Sequence, residues 1–113
     1  MTVLTLSTFE RAAKNAKLSL SERDSLIVLL EANPASGDLI SGAGGARKLR
    51  LAKRGGGKRG GYRVITYFGG REMPVYLIDI YAKNVKTDLS DDERREIKTL
   101  CKSLLNLHRE DGA

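Results

Sequence analysis

The beginning of the chain changes from an alternating pattern to a helical one. Residues 2–6 read Thr-Val-Leu-Thr-Leu, which predicts a short strand. Ser7 or Thr8 can then cap a helix, which is predicted over residues 9–17. A strand followed directly by a helix is therefore the first predicted unit.

A second helix is predicted by the spacing of Ser19 and Glu22, which fits a capping box, with Ser21 as a competing cap. Its apolar residues lie on one helical face: Leu26, Leu29 and Leu30. The helix is expected to end near Glu31, because Pro34 disfavours helical backbone in the residue before it.

The apolar pattern changes to a period of two after a segment of turns. Residues 33–45 contain four glycines and a proline, which predict turns, and residues 47–53 then form a predicted strand. The two faces of this strand differ: Leu49 and Leu51 lie on one, and Lys48 and Arg50 lie on the other. The strand therefore has a solvated, cationic face.

Two more strands are predicted in the second half of the chain. Residues 62–68 are rich in aromatic and β-branched residues, and residues 74–82 form an apolar run. Gly69 and Gly70 lie between them and indicate a short turn. Strands joined in this way are antiparallel in most proteins.

The last predicted helix begins with a capping box formed by Ser90 and Glu93 and runs to about His108. Its apolar stripe consists of Ile97, Leu100, Cys101, Leu104 and Leu107. The element order predicts an α+β fold, with a small antiparallel β-sheet flanked by two N-terminal helices and one C-terminal helix. Residues 1–113 are expected to form a single domain.

The positive charge is confined to one part of the sequence. The chain contains 20 basic and 14 acidic residues, a net charge of +6. Residues 39–71 contain no acidic residue and all of the excess basic ones: Arg47, Lys48, Arg50, Lys53, Arg54, Lys58, Arg59, Arg63 and Arg71. Such a block indicates attraction to a polyanion. The alternative is a solvated basic face that has no partner.

The sequence also argues against several classes of site. A single cysteine, Cys101, and a single histidine, His108, exclude an intramolecular disulfide and a metal site that needs several such ligands. The glycine clusters lack the context of a phosphate loop or a dinucleotide fingerprint. We expect no metal and no cofactor. Asp79, inside an apolar strand, is expected to be a buried partner of an arginine. No signal peptide or membrane span is evident, so we expect a cytoplasmic protein without membrane association.

The basic residues on the strands suit phosphoryl chemistry on RNA. In that reaction a 2′-hydroxyl attacks the adjacent phosphate, and preorganised Arg and Lys donors stabilise the charge that develops on its oxygens. A lysine among other cations loses its proton more easily and can also exchange a proton. Tyrosines such as Tyr62, Tyr67 and Tyr81 can stack on a base, or they pack in the core.

Four stretches of the chain resemble the RelE/HigB-type toxins of bacterial toxin–antitoxin modules, and most closely the HigB-like branch. They are residues 45–52, 57–65, 81–84 and 88–90. The resemblance covers about residues 1–109. It implies a RelE-like fold and a metal-independent endoribonuclease that enters the ribosomal A site and cuts the mRNA with the RNA's own 2′-hydroxyl. It also implies a cognate antitoxin protein, often with a helix-turn-helix domain, that silences the toxin.

The resemblance implies a set of catalytic residues. Lys48 and Arg50 match two basic positions on a strand of the family, and Arg63 matches an arginine that contacts the scissile phosphate. Lys83 falls where the family has a basic residue after the last strand. Further RNA-binding residues are expected among Lys58, Arg59, Arg47, Lys53 and Tyr81.

The group that takes the proton is left open by the sequence. Some relatives carry a late tyrosine near the final helix, and residues 85–90 contain none. Lys48 is the first candidate for this role and Lys83 is the second. A non-catalytic RNA- or ribosome-binding module is the alternative function, and a structural partner of an acidic protein is a third.

Overall fold

The fold comes from a computed structural model, which describes residues 1–53 and 61–112. Within these residues the chain forms three helices and five strands. In chain order they are β1 (Val3–Thr5), α1 (Ser7–Asn15), α2 (Leu20–Ala32), β2 (Asp38–Leu39), β3 (Arg47–Ala52), β4 (Gly61–Tyr67), β5 (Val75–Ala82) and α3 (Asp91–Gly112). The predicted α+β class and the order of the predicted elements are confirmed.

The five strands form one sheet in the order β1-β5-β4-β3-β2. Neighbouring strands are antiparallel except β1, which pairs in parallel with β5. The sheet is therefore mostly antiparallel, as predicted, and β1 is its parallel strand. The two-residue strand β2 was missed, because it lies in the segment of residues 33–45 that was predicted as turns. Its pairing with β3 is short: Asp38 opposes Lys48, and Leu39 opposes Arg47.

Each face of the sheet is covered by helices and carries its own apolar core. Phe9 and Leu26, from α1 and α2, pack with Val64 and Leu77 on one face. The apolar residues of α3 cover the other face, where Cys101 is fully buried. Burying one large apolar side chain contributes about 1.5–3 kcal/mol to folding. The central strands β4 and β5 are therefore held from both sides.

The helix starts show where local sequence signals succeed. The Ser19 hydroxyl accepts a hydrogen bond from the Glu22 N–H at 3.1 Å, and the Glu22 carboxylate accepts one from the Ser19 N–H at 2.9 Å. Ser90 and Glu93 form the same reciprocal pair. Both predicted capping boxes are confirmed.

The predicted cap of α1 is wrong. The residue before this helix is Leu6, and no side chain caps it. The Thr8 hydroxyl instead donates to the carbonyl oxygen of Ile78 at 2.6 Å, which ties α1 to β5. The Thr8 hydroxyl thus makes a hydrogen bond to β5 in place of the predicted capping hydrogen bond at the start of α1.

A bulge interrupts the pairing of β4 with β5. Ile65 opposes Asp79 and Thr66 opposes Leu77, so that Ile78 has no counterpart on β4. An extra residue shifts the alternation of side chains by one position. As a result Ile78 and Tyr81 belong to the core under α3, and Leu77 and Ile80 belong to the core under α1 and α2.

Asp79 lies next to this bulge and is partly buried. Its Oδ1 accepts a hydrogen bond from the Ile80 N–H at 2.8 Å. Burial raises the pKa of Asp79, and this hydrogen bond and the Lys86 ammonium offset part of the rise. The expected arginine partner is not found: within the described part of the chain, Asp79 forms no ion pair with an arginine.

The helices of the described residues include none that is long and apolar enough to cross a membrane.

We expect Asp79→Asn to stabilise the protein at neutral pH. A raised pKa means that the folded state binds the proton more tightly, so stability from this group is present at low pH and is lost as the pH rises through the folded-state pKa. Asparagine removes the buried charge and keeps the acceptor for the Ile80 N–H. Thermal unfolding at about pH 7 should show a Tm a few degrees above the parent, with a smaller gain at about pH 4.

Asp24→Asn, at an exposed position of α2, is the matched control and should leave Tm nearly unchanged. A Tm for Asp79→Asn at or below that of the parent at neutral pH would show that burial of this carboxylate does not destabilise the fold.

Candidate nucleic-acid interface

A row of charged residues crosses three strands of the sheet. Arg50 on β3 lies directly opposite Arg63 on β4, and Arg63 lies directly opposite Tyr81 on β5. Directly opposed residues in an antiparallel pair project to the same face, with Cβ atoms about 4.5–5.5 Å apart. The two side chains therefore leave neighbouring strands side by side, on the face of the sheet that α3 covers.

Two lysines share this face. Lys48 precedes Arg50 by two residues on β3, which places both on the side away from Leu49 and Leu51, whose side chains pack in the opposite core. The Lys83 N–H donates to the Gly61 carbonyl at 3.0 Å and extends the pairing beyond Tyr81. Lys48, Arg50, Arg63 and Lys83 are named here the cationic face.

A pocket of about 200 Å³ lies at one end of the cationic face. Its lining includes Arg50, Arg63 and Lys83, together with backbone at the end of β3 and the beginning of β4. No ion pair joins these three cations to an acidic group of the described residues. The pocket therefore offers three donors to an anion of phosphate size.

Lys48 is the one member of the cationic face with an acidic neighbour in the described part of the chain. Its Nζ lies 3.4 Å from Oδ1 of Asp88, and Oδ2 of Asp88 accepts a hydrogen bond from Arg94 at 3.0 Å. The Leu89 N–H donates to Asp88 at 2.8 Å, and this bond, with Lys48 and Arg94, lowers the pKa of Asp88. Asp88 is therefore a carboxylate at neutral pH and joins β3 to the beginning of α3.

Tyr81 is buried, with 6% of its surface exposed. The Lys86 ammonium lies 4.8 Å from the centre of its ring. Burial, and secondarily the charge of Asp88, raises the pKa of Tyr81, so its hydroxyl remains protonated at neutral pH. A ring covered in this way has no free face for a base, and the stacking role predicted for Tyr81 is not supported.

The remaining predicted RNA-binding residues are scattered. Arg47 faces the opposite side of β3 from Lys48 and donates to the Gly37 carbonyl at 3.0 Å, so the structure does not bring it to the cationic face. Lys53 is exposed just after the end of β3. Lys58 and Arg59 lie outside the described residues.

Sequence reasoning missed the charged groups that the beginning of α3 brings to this face. Asp88 forms an ion pair with Lys48 of β3, Arg94 of α3 binds Asp88, and Lys86 forms an ion pair with Glu93 beside Tyr81. The sole local signal was that Asp88 shortly precedes the Ser90 capping box. Nothing in the spacing indicates which strand the helix start will meet.

A larger cavity lies at the other end of β4. It measures about 630 Å³ and its lining includes Gly69, Met73, Leu105 and His108. His108 is hydrogen-bonded to the Tyr76 hydroxyl at 2.7 Å. Among the described residues that line this cavity, Arg109 is the one arginine or lysine, and Glu72 lies in the same lining.

Among residues 1–53 and 61–109, no three His, Cys, Asp or Glu side chains are grouped so that they could hold a metal ion. The chemistry that this face can supply from its own side chains is donation of hydrogen bonds and positive charge to an anion.

A family model described as RelE toxin of the RelE/RelB toxin–antitoxin system matches residues 1–111. The match includes every strand and helix described above, apart from the last residue of α3, and all four residues of the cationic face. It is to the family as a whole, and the HigB-like branch indicated by the motifs stays a prediction.

We expect Arg50→Gln to stabilise the fold. Like charges directly opposite each other on neighbouring strands cost about 0.2–1 kcal/mol, and this substitution removes the repulsion between Arg50 and Arg63. Thermal unfolding at low ionic strength should show a higher Tm, and added salt should reduce the gain.

Arg47→Gln is the control on the same strand, with the same change in charge. Arg47 lies opposite Thr66 and its side chain binds the Gly37 carbonyl, so its loss should lower Tm or leave it unchanged. Equal Tm changes for the two variants would mean that Arg50 and Arg63 do not repel each other measurably.

Proposed function

The chain belongs to the RelE toxin family, and we propose that it is a ribosome-dependent mRNA endonuclease that inhibits translation and is neutralised by a cognate antitoxin. Toxins of this family act in toxin–antitoxin systems and are in general endoribonucleases. We also propose that residues 1–113 form one toxin domain. The observation that carries the proposal is the juxtaposition of Arg50 and Arg63 on neighbouring strands, with Lys83 beside them.

In the proposed reaction the 2′-hydroxyl of one nucleotide attacks its own 3′-phosphate. A bond forms between the 2′-oxygen and phosphorus, and the bond from phosphorus to the 5′-oxygen of the next nucleotide breaks. The products are a 2′,3′-cyclic phosphate and a 5′-hydroxyl. One proton leaves the 2′-oxygen and one is delivered to the 5′-oxygen, so no cofactor or metal is consumed.

Arg63 and Arg50 are assigned to the non-bridging phosphate oxygens. Charge builds on these oxygens as the phosphorus becomes five-coordinate, and guanidinium groups that are already in place stabilise it without further rearrangement. Arg63 lies on β4, which pairs with β3 on one side and β5 on the other, so its backbone is held in place from both sides. Lys83 lines the same pocket and adds a point charge.

Lys48 and Lys83 are the proposed candidates for proton exchange, in that order. Lys48 lies beside the Asp88 carboxylate, and Lys83 is exposed at the end of β5. The described part of the cationic face contains no histidine, and its nearest carboxylate, Asp88, is engaged by two cations. The lack of a free acid–base group on this described face supports slow cleavage of naked RNA and a contribution of the ribosome to the reaction. The proposed substrate is mRNA in the ribosomal A site.

The cognate antitoxin is proposed to be a protein with a helix-turn-helix domain. It can act by placing acidic side chains over Lys48, Arg50 and Arg63, or by binding elsewhere and blocking entry to the ribosome by its bulk.

A non-catalytic RNA- or ribosome-binding module is the second candidate. It is favoured by one observation: no side chain on the described cationic face is an obvious general base. Such a module would stall ribosomes and leave the message intact.

The test is inducible expression of the parent, Arg63→Gln and Arg47→Gln, followed by mapping of the 5′ ends of cellular mRNA. The parent should arrest growth and produce new 5′ ends inside reading frames. Loss of a preorganised donor to the developing charge costs about 100-fold or more, so Arg63→Gln should nearly abolish these ends.

Arg47→Gln changes the net charge equally on the other side of β3 and should cleave like the parent. Intact messages with stalled ribosomes in the parent would favour the binding module. Equal cleavage by the parent and Arg63→Gln, with both folded, would refute the assigned site.

A further inference from the structure

One carboxylate lies between a cation of the sheet and a cation of α3. The two oxygens of Asp88 contact Lys48 at 3.4 Å and Arg94 at 3.0 Å. The Leu89 N–H, 2.8 Å from Oδ1, fixes the carboxylate to its own backbone. Asp88 is therefore held in one place and sets the position of both cations.

Arg94 has donors left over for another group. Its side chain is 30% exposed, and its other contact is a long one, 3.7 Å, to Asp91. Its Nε is buried and has no hydrogen-bond partner in the described part of the chain. Asp88 thus uses only part of the guanidinium group.

Two other buried polar groups near Asp88 are also without a partner among the described residues. They are Nε of Arg63 and the hydroxyl of Tyr81, which lie opposite each other on β4 and β5. A buried donor left without an acceptor destabilises the folded protein. An acceptor from outside, such as an oxygen of a nucleic-acid backbone, reaches the exposed part of the Arg94 side chain and not these buried atoms.

We propose that Arg94 is an additional ligand of the RNA phosphate backbone and that Asp88 is the positioning residue that holds Arg94 and Lys48 on either side of it. This inference rests on the proposed ribonuclease function. The RNA site then extends from the cationic face to the first turn of α3, and Arg94 contacts a phosphate next to the one held by Arg63. Asp88 does not touch the reacting atoms.

The competing explanation is that Asp88 and Arg94 only stabilise the beginning of α3. If the pair is purely structural, substituting either residue should change Tm. The salt dependence of RNA binding and the ratio of the cleavage rate to the affinity should then stay as in the parent. These readouts separate the two roles.

The same helical turn provides a matched control pair. Arg95 and Asp92 form an ion pair with each other, and both side chains are mostly exposed. Arg94→Gln is therefore compared with Arg95→Gln, and Asp88→Asn with Asp92→Asn, because each comparison holds the net charge constant. Asparagine at position 88 keeps an acceptor for the Leu89 N–H.

Binding is measured with the full chain and a short single-stranded RNA whose 2′-hydroxyls are methylated, so that it cannot be cut. Arg94→Gln should reduce the slope of log affinity against log salt by about 0.7, the value for one lost phosphate contact on a single strand. Arg95→Gln should keep the parental slope, and Arg94→Lys should restore most of it. A slope for Arg94→Gln equal to that of Arg95→Gln overturns the inference.

Cleavage is measured in a single turnover on ribosomes that carry a defined message. Asp88→Asn should bind the methylated RNA as tightly as Asp92→Asn, or more tightly, and cleave at least about tenfold more slowly. Equal cleavage rates, or a fall in Tm without a change in rate, overturn the positioning role.

The experiment also separates this inference from the function on which it rests. A parent that binds the RNA with a steep salt slope and does not cleave on the ribosome refutes the proposed nuclease and the positioning role of Asp88. The slopes of the Arg94 and Arg95 variants then still decide whether Arg94 contacts phosphate. A parent with no measurable RNA affinity at low salt overturns both.

Discussion

The candidate site depends on the hydrogen-bond register of three antiparallel strands. Arg50, Arg63 and Tyr81 lie in one row only because β3, β4 and β5 pair as they do. Two like charges in such a row repel each other, so the register must be held by stronger forces. The fully buried Val64 and Ile65, on opposite faces of β4, anchor it in two separate cores. A shift by one residue would move both side chains into the wrong core.

Much of the fold follows from local signals in the sequence. Ser19 with Glu22 and Ser90 with Glu93 specify helix starts because both partners lie within one helical turn, and the alternation along β3 separates Leu49 from Lys48. The parallel pairing of β1 and the short strand β2 depend on distant partners and have no such signal. The predicted cap of α1 was wrong for the same reason, because the Thr8 hydroxyl donates its hydrogen bond to the Ile78 carbonyl of β5.

The site could be predicted in part. The basic residues on the strands indicated a cationic face that included Arg63 and Lys83, and the family resemblance assigned roles to these two residues. The sequence could not show that α3 begins over β3, so Asp88 and Arg94 were missed. It also could not show that Tyr81 is covered by Lys86. The side of β3 on which Arg47 lies does follow from the alternation, which puts it with Leu49 and Leu51. Lys58 and Arg59 stay predictions.

The extra residue in β5 determines to which face of the sheet each later side chain of the strand points. Residues 75–82 are apolar apart from Asp79 and the tyrosine hydroxyls, and this pattern predicts an uninterrupted strand, so the sequence did not reveal where the alternation is reset. Shortening β5 by one residue at Ile78 would turn Tyr81 and Lys83 towards α1 and α2, and Lys83 would be separated from Arg63 although every cation is retained. The length of this strand therefore carries as much functional information as the identity of its charged neighbours. Two relatives with the same basic residues but different lengths here would not share the same site.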